Sequence, residues 1–254
     1  MSSADPVIIN ETAYEAAARA QLEDWRRSLL TAPSWFDRTA RGVQVRINRA
    51  IPEKVHAVVT ATIEGMTRAI VTGADLTTDR RLIGAPLSTR EAEVRRQIGA
   101  YRAAAAAEGG VAGAGGFGLA LAEFPTLFAT KIKLLFEIAA LYGHDTGELP
   151  ERLYILSIFQ LAFSGADHRR DVMAGLADWD ARADAHPLSL DDVDWRRFQQ
   201  EYRDYIDLAK LAQMIPVIGA PVGAVVNYRL LDRLGETAIN AYRMRWFAGA
   251  DARG

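Results

Sequence analysis

AAAAAEGGVAGAGGFGLALAEFPTLFATKIKLLFEIAALYG, residues 103–143, is the stretch on which the fold turns. It passes from alanine through a glycine-rich segment (Gly109, Gly113, Gly115, Gly116, Gly118) into a dense apolar run. Gly109 and Gly113 stand four residues apart, a spacing that lets two helix backbones approach closely, in lipid or in a tight soluble core. The chain carries a second such pair, Gly219 and Gly223, in MIPVIGAPVGAVVNY, residues 214–228. Glycine in a water-exposed helix costs roughly 1 kcal/mol against alanine, and close packing compensates. The two segments are therefore read as packing partners at the centre of the molecule. Gly113, Gly115 and Gly118 also spell G-x-G-x-x-G, but a dinucleotide site needs a strand before that motif. What precedes it is Tyr101, Arg102 and a run of alanine, which favours helix packing or a helix-breaking loop.

Working outward, the apolar spacing is helical throughout. Tyr14, Ala18, Leu22, Trp25 and Leu29 recur in steps of three and four. The same holds for Val55, Val59, Met66 and Ile70, then for Val94, Ile98, Tyr101 and Ala105. Thr12/Glu15, Ser34/Asp37, Ser88/Glu91 and Ser189/Asp192 have capping-box spacing. Residues 74–87 read as a loop closed by Pro86. Pro125 is expected to open a helix that is apolar nearly all round (Phe128, Ile132, Leu134, Leu135, Ile138, Leu141), the pattern of a buried or lipid-facing helix. Gly143 is its natural C′ residue. Pro150 and Glu151 start another helix, with Leu153, Leu156, Phe159 and Phe163 inward. Residues 164–187 turn polar and read as a short exposed helix between loops. Trp195, Phe198, Tyr202 and Ile206 mark a further helix. After a break at residues 216–223 comes a long one with Leu231, Leu234, Ala238, Tyr242 and Trp246. No strand pattern is present. The expected fold is all-α: a compact helical domain over residues 51–248, its two central glycine-rich segments packed together, with residues 1–50 as an N-terminal helical extension.

Composition narrows the chemistry. The 254 residues include no cysteine, which excludes thiol catalysis, a cysteine zinc site and a disulfide framework, and suits the cytoplasm. A net charge of −2 gives no reason to expect nucleic acid. The first twenty residues lack the basic and apolar regions of a secretory signal. Residues 211–228 are uncharged but broken by Pro216 and Pro221, and residues 109–122 are too short to span a bilayer, which takes about 20 apolar residues. Either could dip into one.

Candidate site residues follow from charge in apolar surroundings. Glu123 sits between two apolar runs, where a carboxylate must be hydrated, paired or neutralised. Against the ligand-site reading stands a favourable charge at a helix start. Glu151 has the same alternative, and Arg152 could pair with Glu123. Lys131, Tyr142, Asn227 and Tyr228 complete the candidate ligand-binding set. His144-Asp145 and Asp167-His168-x-x-Asp171 place acids beside imidazoles, but neither has the spacing that fixes a metal on one helix face, so no metal and no cofactor is expected. The paired arginines are flanked by acids and read as solvated faces. Tyr242, Arg243, Arg245, Trp246 and Phe247 mix aromatics with cations, as membrane-interface helices and ordinary amphipathic ones both do.

Three stretches in order resemble the EcsC family of bacterial proteins. They are residues 108–116 with Ala122-Glu123-Phe124-Pro125, residues 138–143 with Glu151-Arg152, and residues 215–220 with Gly223, Asn227-Tyr228 and Ala241-Tyr242-Arg243. Residues 51–55 add weaker support, and the resemblance runs from about Pro52 to Phe247. It implies an all-helical cytoplasmic protein with a capacity for peripheral contact at the inner face of the membrane. The family commonly has Asp where this chain has Glu123, which moves that carboxylate by one methylene. The expected function is non-enzymatic: binding of a membrane surface, a membrane-protein partner or a small apolar ligand. The alternative is a hydrolase-type enzyme around Glu123, Arg152 and Asn227. The sequence does not set the oligomeric state.

Overall fold

The computed structural model describes residues 12–31, 61, 64–65, 68, 70, 78, 81–114, 116–164, 166–185 and 219–251. The side chains of 30–31, 106–114, 116–124, 127, 166–167 and 219–227 lie outside that description. Seven helices are described: α1 (Ala13–Thr31), α2 (Leu87–Ala114), α3 (Gly116–Leu141), α4 (Leu149–Phe163), α5 (Ala166–Ala177), α6 (Trp179–Ala185) and α7 (Gly219–Asp251), and among the described residues there is no strand. The fold is all-α.

Three long helices form the frame. α7 packs most extensively on α2, and α2 next on α3. α2 and α7 run antiparallel, as successive pairs along them show: Glu91 with Arg243, Arg95 with Glu236, Ile98 with Gly235, Arg102 with Asp232. A Cβ on Gly235 would lie 2.7 Å from Ile98 Cδ1, so glycine there sets the close approach of the two backbones. α3 returns antiparallel to α2, with Gln97 and Tyr101 meeting Glu137. α4 is buried almost all round, and Leu153, Tyr154, Ile155, Ile158, Phe159 and Leu161 are each at most 2% exposed. It joins α3 through Phe128 and Phe159, whose rings meet edge to face at 5.2 Å. α1 lays Ala18 and Leu22 onto the core and leaves Trp25 and Leu29 half-buried, as its spacing predicts.

Local signals were decisive at some helix ends. Thr12 and Glu15 form the expected capping box: Thr12 N–H donates to Glu15 Oε2 (3.0 Å) and Glu15 N–H to Thr12 Oγ1 (3.2 Å). Gly143 ends α3 at φ +94°, and Pro150 lies in the first turn of α4. Elsewhere tertiary packing overrode them. Pro125 does not open a helix; it lies inside α3, with Pro125 and Thr126 exposed. An internal proline costs about 3 kcal/mol, which the fully buried Ile132, Leu134, Leu135, Phe136 and Ile138 of the same helix offset. Ser88 is not a cap either, because α2 starts at Leu87 and Glu91 turns inward to Arg243. Residues 164–187 are not a short exposed helix between loops. α5 and α6 follow one another there and bury Val172, Leu176 and Trp179. The expected break at residues 216–223 gives way to helix from Gly219, with Pro221 in the first turn, where a missing N–H is tolerated. The helix expected around Trp195 to Ile206, the positions Val55, Val59 and Met66, and the two boxes at Ser34 and Ser189 lie outside the described residues.

Candidate functional site

The charged residues of α7 build one end of the molecule. Arg243 and Arg245 point to different neighbours, and each finds a buried carboxylate. Glu91, from α2, is fully buried. Arg243 donates to it twice, Nε to Oε1 and Nη2 to Oε2, both at 2.7 Å. Tyr14 of α1 adds its hydroxyl to Oε2 at 2.7 Å. Burial pushes the Glu91 carboxyl up, but the bonds from Arg243 and Tyr14 and the charges of Arg243 and Arg95 outweigh it, and the net direction is down. Arg243 shifts up: desolvation opposes its charge, and Glu91 more than restores it.

Glu151, in the first turn of α4, takes the second arginine. Arg245 Nη1 donates to its Oε2 at 2.6 Å, and Tyr242 donates its hydroxyl to Oε1 at 2.6 Å. Asp180 of α6 holds the other side of the same guanidinium, accepting from Nε at 3.1 Å. Around them the aromatics stack: Tyr142 on Tyr242 at 4.9 Å and His144 on Tyr242 at 5.2 Å. Tyr154 lies under the Arg245 guanidinium at 4.6 Å and donates to the Ala241 carbonyl at 2.7 Å. Burial drives the hydroxyl pKa values of Tyr142, Tyr154 and Tyr242 well up, so they act as donors at any physiological pH. Arg90 closes the end by donating to the carbonyls of Ala85 and Tyr142.

Of the candidate residues read from the sequence, the structure joins Tyr142 and Glu151 here, through Tyr242. Lys131 is buried in α3. Arg152 donates to the carbonyl of Gly147 in the loop before its own helix. Tyr228 lies far along α7, 40% exposed, with the Arg102 guanidinium 3.9 Å above its ring. Glu123 and Asn227 lie on α3 and α7, and their side chains are outside the described residues. The sequence reading missed Glu91, Arg243, Arg245, His144 and Asp180 as a group. Glu91 was masked by its capping-box spacing and the arginines by their amphipathic neighbours. Two cations two residues apart among the apolar and aromatic residues 238–247 were the available signal.

This end has little capacity for chemistry. Both carboxylates are bound by an arginine and a tyrosine; Arg243 spends Nε and Nη2 on Glu91, and Arg245 divides its donors between Glu151 and Asp180. Among the described residues no three His, Asp or Glu side chains converge as metal ligands. His168 stands 3.6 Å from Asp171 and 2.8 Å from the Gln160 amide. The G-x-G-x-x-G letters are flanked by helix, to Ala114 before and from Gly116 after.

The opposite end is different in kind. α2 and α3 are antiparallel and separated only by residue 115, so they meet there as a helical hairpin. Between Glu108 and Glu123 the hairpin sequence carries no charge, and α7 carries none from Gly219 to Tyr228. Among the described residues no helix is long and apolar enough to cross a membrane. The exposed Arg229 stands where the uncharged sequence of α7 ends, and Arg102, paired with Asp232 at 2.7 Å, lies six residues before Glu108 on α2.

Comparison with known proteins places the chain. It is 40% identical to Protein EcsC of Bacillus subtilis (strain 168) over 223 residues, covering 87% of this chain and 92% of that protein. It is 30% identical to the uncharacterized protein YdbA of the same organism over 162 residues, 63% of this chain and 59% of that one. No solved structure matches it. The model of the EcsC protein family matches residues 16–247, and the chain belongs to that family.

Proposed function

We propose that this is a non-enzymatic protein that binds a membrane surface peripherally, at the inner face, through the end where α2, α3 and α7 carry no charge. One observation carries the reading: the uncharged sequence falls at the turn of a helical hairpin and has the length of an interfacial segment. Residues 109–114 of α2 and 116–122 of α3 each extend roughly 10 Å at 1.5 Å per residue. Interfacial helices bury about 5–10 Å of apolar surface, whereas the hydrocarbon core is about 30 Å thick. A hairpin of this size enters the interface and stops, with Glu108 and Glu123 at the water. The helix interiors satisfy their own backbone groups, while the last carbonyls of α2 and the first N–H groups of α3 at the tip need polar partners, which favours shallow entry at the headgroup level over deep insertion. Extending the α2–α7 register from Arg102 and Asp232 brings Gly109 and Gly113 level with Gly223 and Gly219, within a turn. On this reading the two glycine-rich segments would form a close seam there.

Flotation with liposomes, before and after carbonate extraction, tests this. The full chain should float with vesicles and be released by carbonate. Leu119→Glu, in the first turn of α3, should abolish flotation while leaving the helical circular dichroism intact. Wild-type protein that never floats, or stays after carbonate, refutes the interfacial reading.

A further inference from the structure

A third carboxylate is met, among the described residues, by neutral groups. Glu137 of α3 is half-buried and lines a half-open cavity of about 140 Å³ with Thr78, Gln97 and Leu141. Its two hydrogen bonds come from neutral groups: Gln97 Nε2 to Oε2, and Tyr101 hydroxyl to Oε1 at 2.8 Å. Among the described residues no cation stands within ion-pairing distance, and Lys133, one turn earlier, is exposed. This contrasts with Glu91 and Glu151, each neutralised by an arginine. Burial, the bond to Glu137 and its charge raise the Tyr101 pKa, so the phenol keeps its proton and serves as a donor. A carboxylate partly withdrawn from water with only neutral donors is a site of negative potential.

We propose that this cavity binds a primary ammonium group. The acceptors fit its three donors. Glu137 supplies a charged oxygen, Gln97 keeps its Oε1 after spending its amide nitrogen, and the Thr78 hydroxyl can accept while engaged elsewhere. Leu141 supplies an apolar wall for a short alkyl chain. The half-open cavity of about 140 Å³ has room for a methylammonium or ethanolammonium head, and its acceptors select for N–H donors, which a quaternary ammonium lacks. The site is independent of the membrane reading: Glu137 lies roughly 30 Å along α3 from the hairpin turn, beyond the reach of a headgroup at that end.

The test is a nuclear magnetic resonance titration of the full chain with methylammonium chloride, with tetramethylammonium and sodium chlorides as controls. Methylammonium should give saturable shifts at Gln97, Glu137 and Leu141, and tetramethylammonium should bind at least about tenfold more weakly, having no N–H to donate. Glu137→Gln should weaken methylammonium by about tenfold, the scale of one charge-assisted hydrogen bond. Ethanolamine in solution should compete, and vesicles of phosphatidylethanolamine should not, which separates a free amine from a lipid headgroup. Equal response to the two ammonium ions, no saturable shift, competition by the vesicles, or shifts elsewhere in the molecule overturn the proposal. So does an unchanged affinity in a folded Glu137→Gln variant. If that variant does not fold, the wild-type comparison of the two ions decides.

Discussion

The two ends of the long helices are built on opposite principles. At the C-terminal end of α7, four helices are tied to it by charge: Arg243 bonds Glu91 of α2, which also accepts from Tyr14 of α1, and Arg245 bonds Glu151 of α4 and Asp180 of α6. At the α2–α3 turn and the start of α7, the sequence between Glu108 and Glu123 and from Gly219 to Tyr228 offers glycine, alanine and aliphatic residues. Charge pairs have direction and partner choice, so the first end fixes which helix meets which. Small apolar residues have neither, so the second end is suited to a surface that does not need to be specific. The same α7 serves both because its two halves differ in sequence.

The largest effect should come from breaking the charged end. Arg243→Met leaves Glu91 buried with only the partly exposed Arg95, at 3.3 Å, as its cation and should cost about 3–5 kcal/mol, read as a lower urea midpoint. Adding Glu91→Leu in the same chain should recover most of the loss, because the penalty is the orphaned charge rather than the missing attraction. A single variant as stable as wild type would mean that the pair does not hold this end.

Next in size is Gly143→Ala. Gly143 has φ +94°, and a Cβ there would stand 2.5 Å from Arg90 Nη1, whose guanidinium caps the Tyr142 carbonyl. Strain at positive φ and displacement of Arg90 together should cost roughly 1–3 kcal/mol. The sequence announced this position by its place after an apolar helix, and it announced most of the fold the same way. Helices α1, α2, α3, α4 and α7 carry their inward residues at helical spacing, because burial on one face leaves a periodic trace. What the sequence did not disclose was partner choice. Glu91 looked like a cap, Arg243 and Arg245 like solvent-facing cations, and Glu151 like a first-turn acid, since each is locally sensible in that role. Only the antiparallel register of α2, α4 and α7 brings them together, and register is a long-range property. Pro125 misled for the opposite reason. The local rule was right about its cost, but the burial that outweighs it lies further along α3.

The uncharged end should respond to size instead of charge. Gly113→Leu or Gly219→Leu should overpack the proposed α2–α7 seam and cost typically 1–3 kcal/mol. Unchanged melting temperatures in both variants would dissolve the seam and leave the hairpin without its third helix. Charge reversal at Arg243 should leave flotation per folded molecule unchanged, and a loss there would erase the division of labour between the ends.

The smallest effect belongs to His144 and separates the two buried carboxylates by pH. Its ring stacks on Tyr242, and its Nδ1 stands 3.6 Å from Glu151. Burial is the largest influence and lowers its pKa from the ordinary 6.5. Glu151 and Asp180 oppose that shift, whereas Arg245 and Arg90 reinforce it. The unfolded chain therefore takes up this proton at a higher pH than the folded protein does. As pH falls through about 6.5 the unfolded state gains protons first, and stability declines until the folded pKa is passed. Glu91 works lower down. Its folded pKa lies below the ordinary 4.5, so its contribution is intact above that value and is lost only as pH falls through the folded one. The stability of His144→Gln should accordingly run parallel to wild type above about pH 7.5, lose less than wild type between about 6.5 and 5, and show the same steep acid loss below. Curves that stay parallel from pH 8 to 5 would mean that His144 does not titrate against its buried neighbours. The aromatic stack would then hold this end without any contribution from the imidazole's charge state.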